Sequence, residues 1–246
     1  MALTNEQKTQ ELIRLLGEAQ ERLTSAQVLM ATNPVQPDPP TVPTPPTPVS
    51  APATSLRLPA KFFDYVKAKP PLGPTLTQAE VDGCNRIINA CGKARFPISW
   101  AAYCLATSYH ETAGTMSPIR EYGKGRGKKY GVPGRHGDQV PYGRGDVQLT
   151  WASNYEKMDA ALGLGGRLLA DYDLALDPVI SADIMVAGMR DGIFTGVGLG
   201  KFLPTRLGSF EQFKDARRIV NGTDKDALIA GYAAVFQQGL IEGDYK

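Results

Sequence analysis

Histidine, tryptophan and cysteine are scarce in this chain: two, two and three among 246 residues. His110 has no second histidine four positions on, and His136 stands alone, so the helix-borne zinc motif is missing. Cys84, Cys91 and Cys104 form no CxxC pair. No metal site is expected, and no cofactor. On a helix, Cys84 and Cys91 would lie roughly 10 Å apart at about 1.5 Å per residue, too far for a disulfide. All three thiols therefore read as reduced, which points to synthesis in a cytosol. The start "MALTNEQKTQELIRLL" lacks a basic stretch followed by an apolar core, so no signal peptide is expected. Nor does any run approach the ~18 apolar residues of a membrane span, so no transmembrane segment is expected. A formal net charge of +2 is too small to argue for a nucleic-acid partner. "GKGRGKK" at 123–129 lacks the spacing and the Ser/Thr of a phosphate loop. "RGD" at 144–146 reads as a coincidence with an adhesion motif. No internal repeat is visible.

Proline, by contrast, is concentrated: ten fall within residues 34–59. Such a segment behaves as an extended spacer that spans on the order of 80 Å at about 3.1 Å per residue. Ahead of it, Leu12, Leu16, Ala19, Leu23, Ala26 and Met30 repeat in steps of four and three, a short heptad seam. The expected organisation is an amphipathic helix over 1–31, a Pro-rich linker over 32–58 and a folded domain over 59–246. The seam suits docking on the protein's own domain, self-association or docking on a partner. A membrane-disrupting role is disfavoured, because residues 1–30 carry three basic and four acidic side chains.

Helix signals dominate the domain. "TQAE" at Thr77 to Glu80 is a capping box, opening a helix that Gly92 would close. Ser99 would cap "WAAYCLATSYHET"; "SADIMVAGMRDGIF" and "GSFEQFKDARRIV" suggest further helices. A last helix would start at Thr223 and stop before Gly239. Residues 115–147 are rich in glycine and poor in helix formers, which predicts turns and a small hairpin. The expected class is mainly α with one irregular, basic lobe.

Chemistry concentrates in "SYHETAGTMSPIREYGKGRGKKYG", residues 108–131. On a helix over 100–112, Glu111 shares a face with Cys104, Thr107 and Ser108 and emerges at the C-terminal end. Partial burial and the negative end of the dipole would both favour the protonated carboxyl that a general acid needs. Gly114 and Pro118 break the helix, so the chain can return Glu121 to face Glu111. Arg120, Lys124, Arg126, Lys128 and Lys129 surround Glu121 and would keep it ionised, as a base requires. Two glycosidase carboxylates stand about 5–5.5 Å apart in retaining enzymes and roughly 6.5–9.5 Å in inverting ones, and sequence spacing alone does not choose. A solvated basic loop is the plain alternative. Residues 120–144 hold seven basic and two acidic side chains, a field that would also suit anionic cell-wall polymers.

Four stretches in order carry a resemblance: "AAYCLATSYHETAGTMSPIREYGKG", "YGRGDVQLTWASNY", "ALDPVISADIMVAGMRDGIFTGVGL" and "ARRIVNGTDKDALIAGYAAVF". Together they resemble the glycoside hydrolase family 19 domain, and more narrowly its bacteriophage endolysin branch, over most of residues 75–240. The resemblance implies a two-lobed, lysozyme-like α fold and hydrolysis of β-1,4 bonds in peptidoglycan glycan strands. It implies Glu111 as the acid, Glu121 as the base in an inverting mechanism, and Thr150 as the residue that orients water. His110, Gln148, Asn154, Tyr155 and Asn221 would bind sugar. Host lysis follows as the implied role, with release from the cytoplasm to the cell wall through a holin pore. Alternatives are chitin as substrate, a virion-associated lytic protein anchored by its N-terminal helix, and a non-catalytic wall-binding module.

Overall fold

Ser55 is the first residue that the computed structural model describes, and the description runs from there to Lys246. The helix expected over 1–31 and most of the linker expected over 32–58 lie outside the described residues. Within them the chain joins the domain at once. Leu56 is buried and forms an antiparallel bridge with Tyr245, and Ser55 donates its amide to Asn89 Oδ1 at 3.2 Å.

Helix α1 (Pro59–Lys67) starts on proline, whose missing N–H costs nothing there, and buries Phe62 and Val66. Helix α2 (Gln78–Lys93) opens on the expected Thr77–Glu80 capping box. It ends at Lys93, one residue past the expected Gly92, which lies against Ser55 where a Cβ would collide. Helix α3 (Ile98–Glu111) begins one residue before Ser99. Ser99 does not cap it; instead its hydroxyl donates to the Thr205 carbonyl at 2.7 Å. Ten of the fourteen α3 residues are buried on all sides, the signature of a central core helix.

After α3, β1 (Ile119–Arg120) and β2 (Arg144–Gly145) pair antiparallel, with Ile119 opposite Gly145. Between them lies the irregular lobe. Helices α4 (Ala152–Ala161) and α5 (Arg167–Ala170) and a 3-10 turn over Tyr172–Leu176 follow. Helix α6 (Pro178–Asp191) is started by the Asp177 side chain and stopped by left-handed Gly192. Helix α7 (Phe210–Asp215) has a Ser209–Gln212 capping box and runs into a 3-10 turn, Ala216–Ile219.

The last helix, α8 (Asp226–Glu242), starts after Lys225 rather than at Thr223. Gly239 sits inside it, not beyond its end, because Val66 and Phe62 of α1 press on that face, leaving no room for a Cβ. Helix α8 packs on α1, α3 and α7, and α6 packs on α2. The result is the mainly α fold expected. Among the described residues, no helix is long and apolar enough to cross a membrane.

One buried carboxylate ties the lobe to this helical frame. Asp146, which follows β2, accepts from Ser108 Oγ of α3 at 2.9 Å, from Ser181 Oγ of α6 at 2.6 Å, and from both terminal nitrogens of Arg86 on α2. Every lone pair is used, so Asp146 is architectural. Arg144 and Asp146 are both buried, which removes the "RGD" triplet from the surface.

Candidate active site

Glu111 is the last residue of α3, where the helix emerges from the core, and its side chain is only 15% exposed. Oε1 accepts from Nη1 of Arg217 at 2.8 Å. Arg217 is wholly buried and also donates from Nε to the Asp224 carbonyl at 2.9 Å. Among the described residues, Oε2 of Glu111 has no hydrogen-bond partner. Burial and the dipole were foreseen at this position. The opposed guanidinium was not.

Glu121 follows β1 directly. Its amide donates to the Gly143 carbonyl at 2.7 Å, Oε2 accepts from the Gly143 amide at 3.0 Å, and Oε1 accepts from the Tyr130 hydroxyl at 3.1 Å. Burial, with the neighbouring Glu121 charge, pushes the Tyr130 hydroxyl up, so it remains a donor. The expected basic partners are elsewhere: Arg120 pairs with Asp173 at 2.7 Å, and Lys124, Arg126, Lys128 and Lys129 are exposed. A carboxylate held through one bond per oxygen is fixed in plane and keeps lone pairs for a water.

Both glutamates line one cavity of about 380 Å³, together with Gln148, Thr150, Trp151 and Asn221. Its floor is the segment after β2, where Leu149 doubles back to bridge Arg144. Gln148 has φ +52° and Trp151 φ +70°, two non-glycine residues in the left-handed region within four positions. Strain of this kind costs on the order of 1–3 kcal/mol per residue and gathers at functional sites. Gln148 Nε2 donates to the Ile119 and Gly145 carbonyls, both at 3.1 Å, so its amide holds the two strands while facing the cavity. A second hollow of about 210 Å³ shares Gln148, Thr150 and Trp151 and extends towards Asn154, Phe194 and Thr195. The two adjoin through these shared residues and form one cleft.

Glu111, Glu121, Gln148, Thr150 and Asn221 are thus brought together, with Asn154 in the adjoining hollow. Two expected sugar-binding residues are not. Tyr155 is wholly buried; its hydroxyl donates to the Tyr142 carbonyl at 3.0 Å and accepts from Arg144 at 3.2 Å. It packs the lobe's interior and cannot touch a substrate. His110 does not line the cavity. Burial pushes its imidazole down, aided by Arg217 and Lys225 and opposed by Glu111 and Asp224. Among the other carboxylates, Asp146 is enclosed and Asp138 lies exposed outside the cavity.

Sequence reasoning missed three residues. Arg217 sits in an apolar stripe with Phe213, Ala216 and Val220, and an arginine inside such a stripe is a legible sign of a buried partner. Tyr130 and Trp151 meet edge to face at 5.4 Å, and Trp151, 45% exposed, offers an aromatic face to the cleft.

No protein-family model matches the sequence. The inactive chitinase-like protein 1 of Hevea brasiliensis is 38% identical over 86 residues, 35% of this chain. The chain spans about a quarter of that relative, 23% of its length. The crystal structure of chitinase C from Streptomyces griseus HUT6037 superposes with a TM-score of 0.52 at 20% identity, covering 80% of this chain and 79% of the other. The fold is chitinase-like.

Proposed function

We propose that residues 55–246 form a glycoside hydrolase acting on β-1,4-linked, N-acetylated glycans. The observation that carries this reading is a pair of glutamates on one cavity in unlike settings, Glu111 against a buried guanidinium and Glu121 against two neutral donors. Two carboxyl groups flanking one bond are what glycoside hydrolysis requires, and these two line one cavity. Glu111, through Oε2, would protonate the glycosidic oxygen. Glu121 would take a proton from a water held by the Thr150 hydroxyl, and the water oxygen would attack the anomeric carbon with inversion. Asn221 and Gln148 would contact N-acetyl groups, and Trp151 would pack on a sugar ring.

Chitin is the first substrate to test, since both similar proteins carry chitinase in their names. One of those names also says inactive, so turnover itself must be measured. Peptidoglycan, with host lysis as the role of a phage endolysin, is the second reading. It is favoured by three buried, unpaired thiols, which suit a protein made in a reducing compartment. Digestion of chitohexaose and of purified peptidoglycan, with mass spectrometry of new reducing ends and NMR of the first anomer formed, tests both. Release of β-anomer only, or of anhydro-muramyl ends, would overturn the inverting hydrolase. No cleavage of either polymer would overturn the enzyme.

A further inference from the structure

Residues 123–131 wind through successive turns, the amides of Lys124, Arg126, Lys128 and Gly131 donating three positions back at 2.9–3.0 Å. Gly131 lies on the Gly125 carbonyl where any Cβ would collide, so the coil closes on itself. Through Tyr130 it forms a wall of the cleft, bonded to Glu121 and packed on Trp151. Its exposed side chains include Lys124, Arg126, Lys128 and Lys129. Among the described residues these four have no ion pair. The lobe's other arginines are paired: Arg120 and Arg144 share Asp173, and Arg135 meets Glu156. Unpaired charge is therefore gathered into six positions at the edge of the cleft.

Four like charges on a closed coil repel one another, and among the described residues no carboxylate forms an ion pair with them. A neutral glycan would gain nothing from them. A glycan carrying a carboxylate at intervals along the strand would meet them as it enters the cleft, within a Debye length of about 8 Å. We propose that the 124–129 coil is a binding rim for carboxylate-bearing β-1,4 glycans and sets a preference for them over neutral ones. The inference rests on the glycosidase reading and narrows its substrate class.

The test compares three substrates on the full chain: uncross-linked peptidoglycan strands with free carboxylates, the same strands amidated with carbodiimide and an amine, and neutral chitohexaose. The rim predicts about tenfold higher kcat/KM on the free strands than on the amidated ones at low salt, a preference that vanishes at high salt. Replacing Lys124, Arg126, Lys128 and Lys129 together by Ala should bring that ratio to about one and leave chitohexaose turnover within about twofold. Equal kcat/KM on free and amidated strands, or a preference that survives the four substitutions, overturns the rim. So does RNA that displaces free strands at far lower concentration than the strands displace RNA. The amidation comparison needs no variant, so it decides even if the fourfold substitution misfolds. If nothing is cleaved, the glycosidase reading falls, and co-sedimentation with the same strands still decides. Retention lost on amidation upholds the rim, and equal retention overturns it.

Discussion

Arg217 Nη1 lies 2.8 Å from Oε1 of Glu111, a buried guanidinium beneath a carboxylate that opens to the cleft. The fork also reaches the Asp224 carbonyl, so one side chain fixes both the end of α3 and the turn before α8. Arg217→Ala should cost about 3 kcal/mol in denaturant unfolding, because it strands a carboxylate that is mostly out of water. Arg217→Lys keeps the charge but lacks the fork, and should recover no more than half. A loss below about 1 kcal/mol would show the pair to be structurally idle.

Glu111→Gln is nearly isosteric and should keep its melting temperature within a few degrees. Turnover should drop by about 10²–10⁴, because the amide cannot donate the proton to the leaving oxygen. Residual activity above a tenth of the unaltered protein, with unchanged circular dichroism, would remove Glu111 from that role.

For Glu121→Gln, kcat should fall strongly while KM changes little, since activation of water matters mainly in the transition state. Tyr130→Phe deletes the hydroxyl on Oε1 and should lower kcat by about three- to tenfold, a smaller effect because one hydrogen bond is worth about 1 kcal/mol. Azide should rescue Glu121→Ala and yield a glycosyl azide of inverted configuration. Undiminished turnover of Glu121→Gln would refute the assignment, and neither Asp138 nor Asp146 lines the cleft to take its place.

Asp173 joins both strands of the small lobe to the 3-10 turn that contains it. Its carboxyl is held below the usual range, first by the hydrogen bond from Arg120 and then, with burial opposing, by Arg144. A folded value below the unfolded one means that the stabilisation is complete above about pH 4 and is lost as pH falls through the folded value. Asp173→Asn should therefore cost about 1 kcal/mol at pH 7, kept small because the side chain is partly exposed. That difference should shrink steadily below about pH 4. Melting curves across pH would check it, and a difference constant down to pH 2 would argue against the pair.

Much of this was legible in the sequence because its signals are local. Thr77 and Glu80 cap a helix whatever lies around them, and the break at Gly114 and Pro118 returns Glu121 to the cavity that Glu111 lines. What failed depends on distant neighbours. Gly92 does mark the last turn of α2, but Gly239, which looks like a helix end, lies inside α8, where Val66 and Phe62 of α1 press on its face. Tyr155 reads as a sugar contact beside Asn154, but successive positions on a helix point about 100° apart, and one faces the cleft while the other faces the core. The basic residues near Glu121 in sequence find Asp173 and Glu156, or water, rather than Glu121 itself.

Removal of residues 1–54 should leave a domain that folds with unchanged stability and retains any glycan cleavage. Removal of 1–58 takes away buried Leu56 and should cost about 2–3 kcal/mol, the usual worth of a buried leucine. Equal stability of the two truncations would show that the Leu56 bridge contributes nothing.

The bridge between Leu56 and Tyr245, extended by the Lys246 amide on the Ser55 carbonyl at 3.0 Å, makes the domain a nearly closed circuit. Where the chain enters is where it leaves. A short linker from 246 to 55 could close the circuit, and new ends could then be opened in the glycine-rich turn at Gly163 and Gly165. A host protein could also receive the whole domain in a surface loop with little spreading of the loop's two ends. The same geometry sets the response to tension: a pull on both ends would peel the bridge open one bond at a time instead of shearing its bonds together.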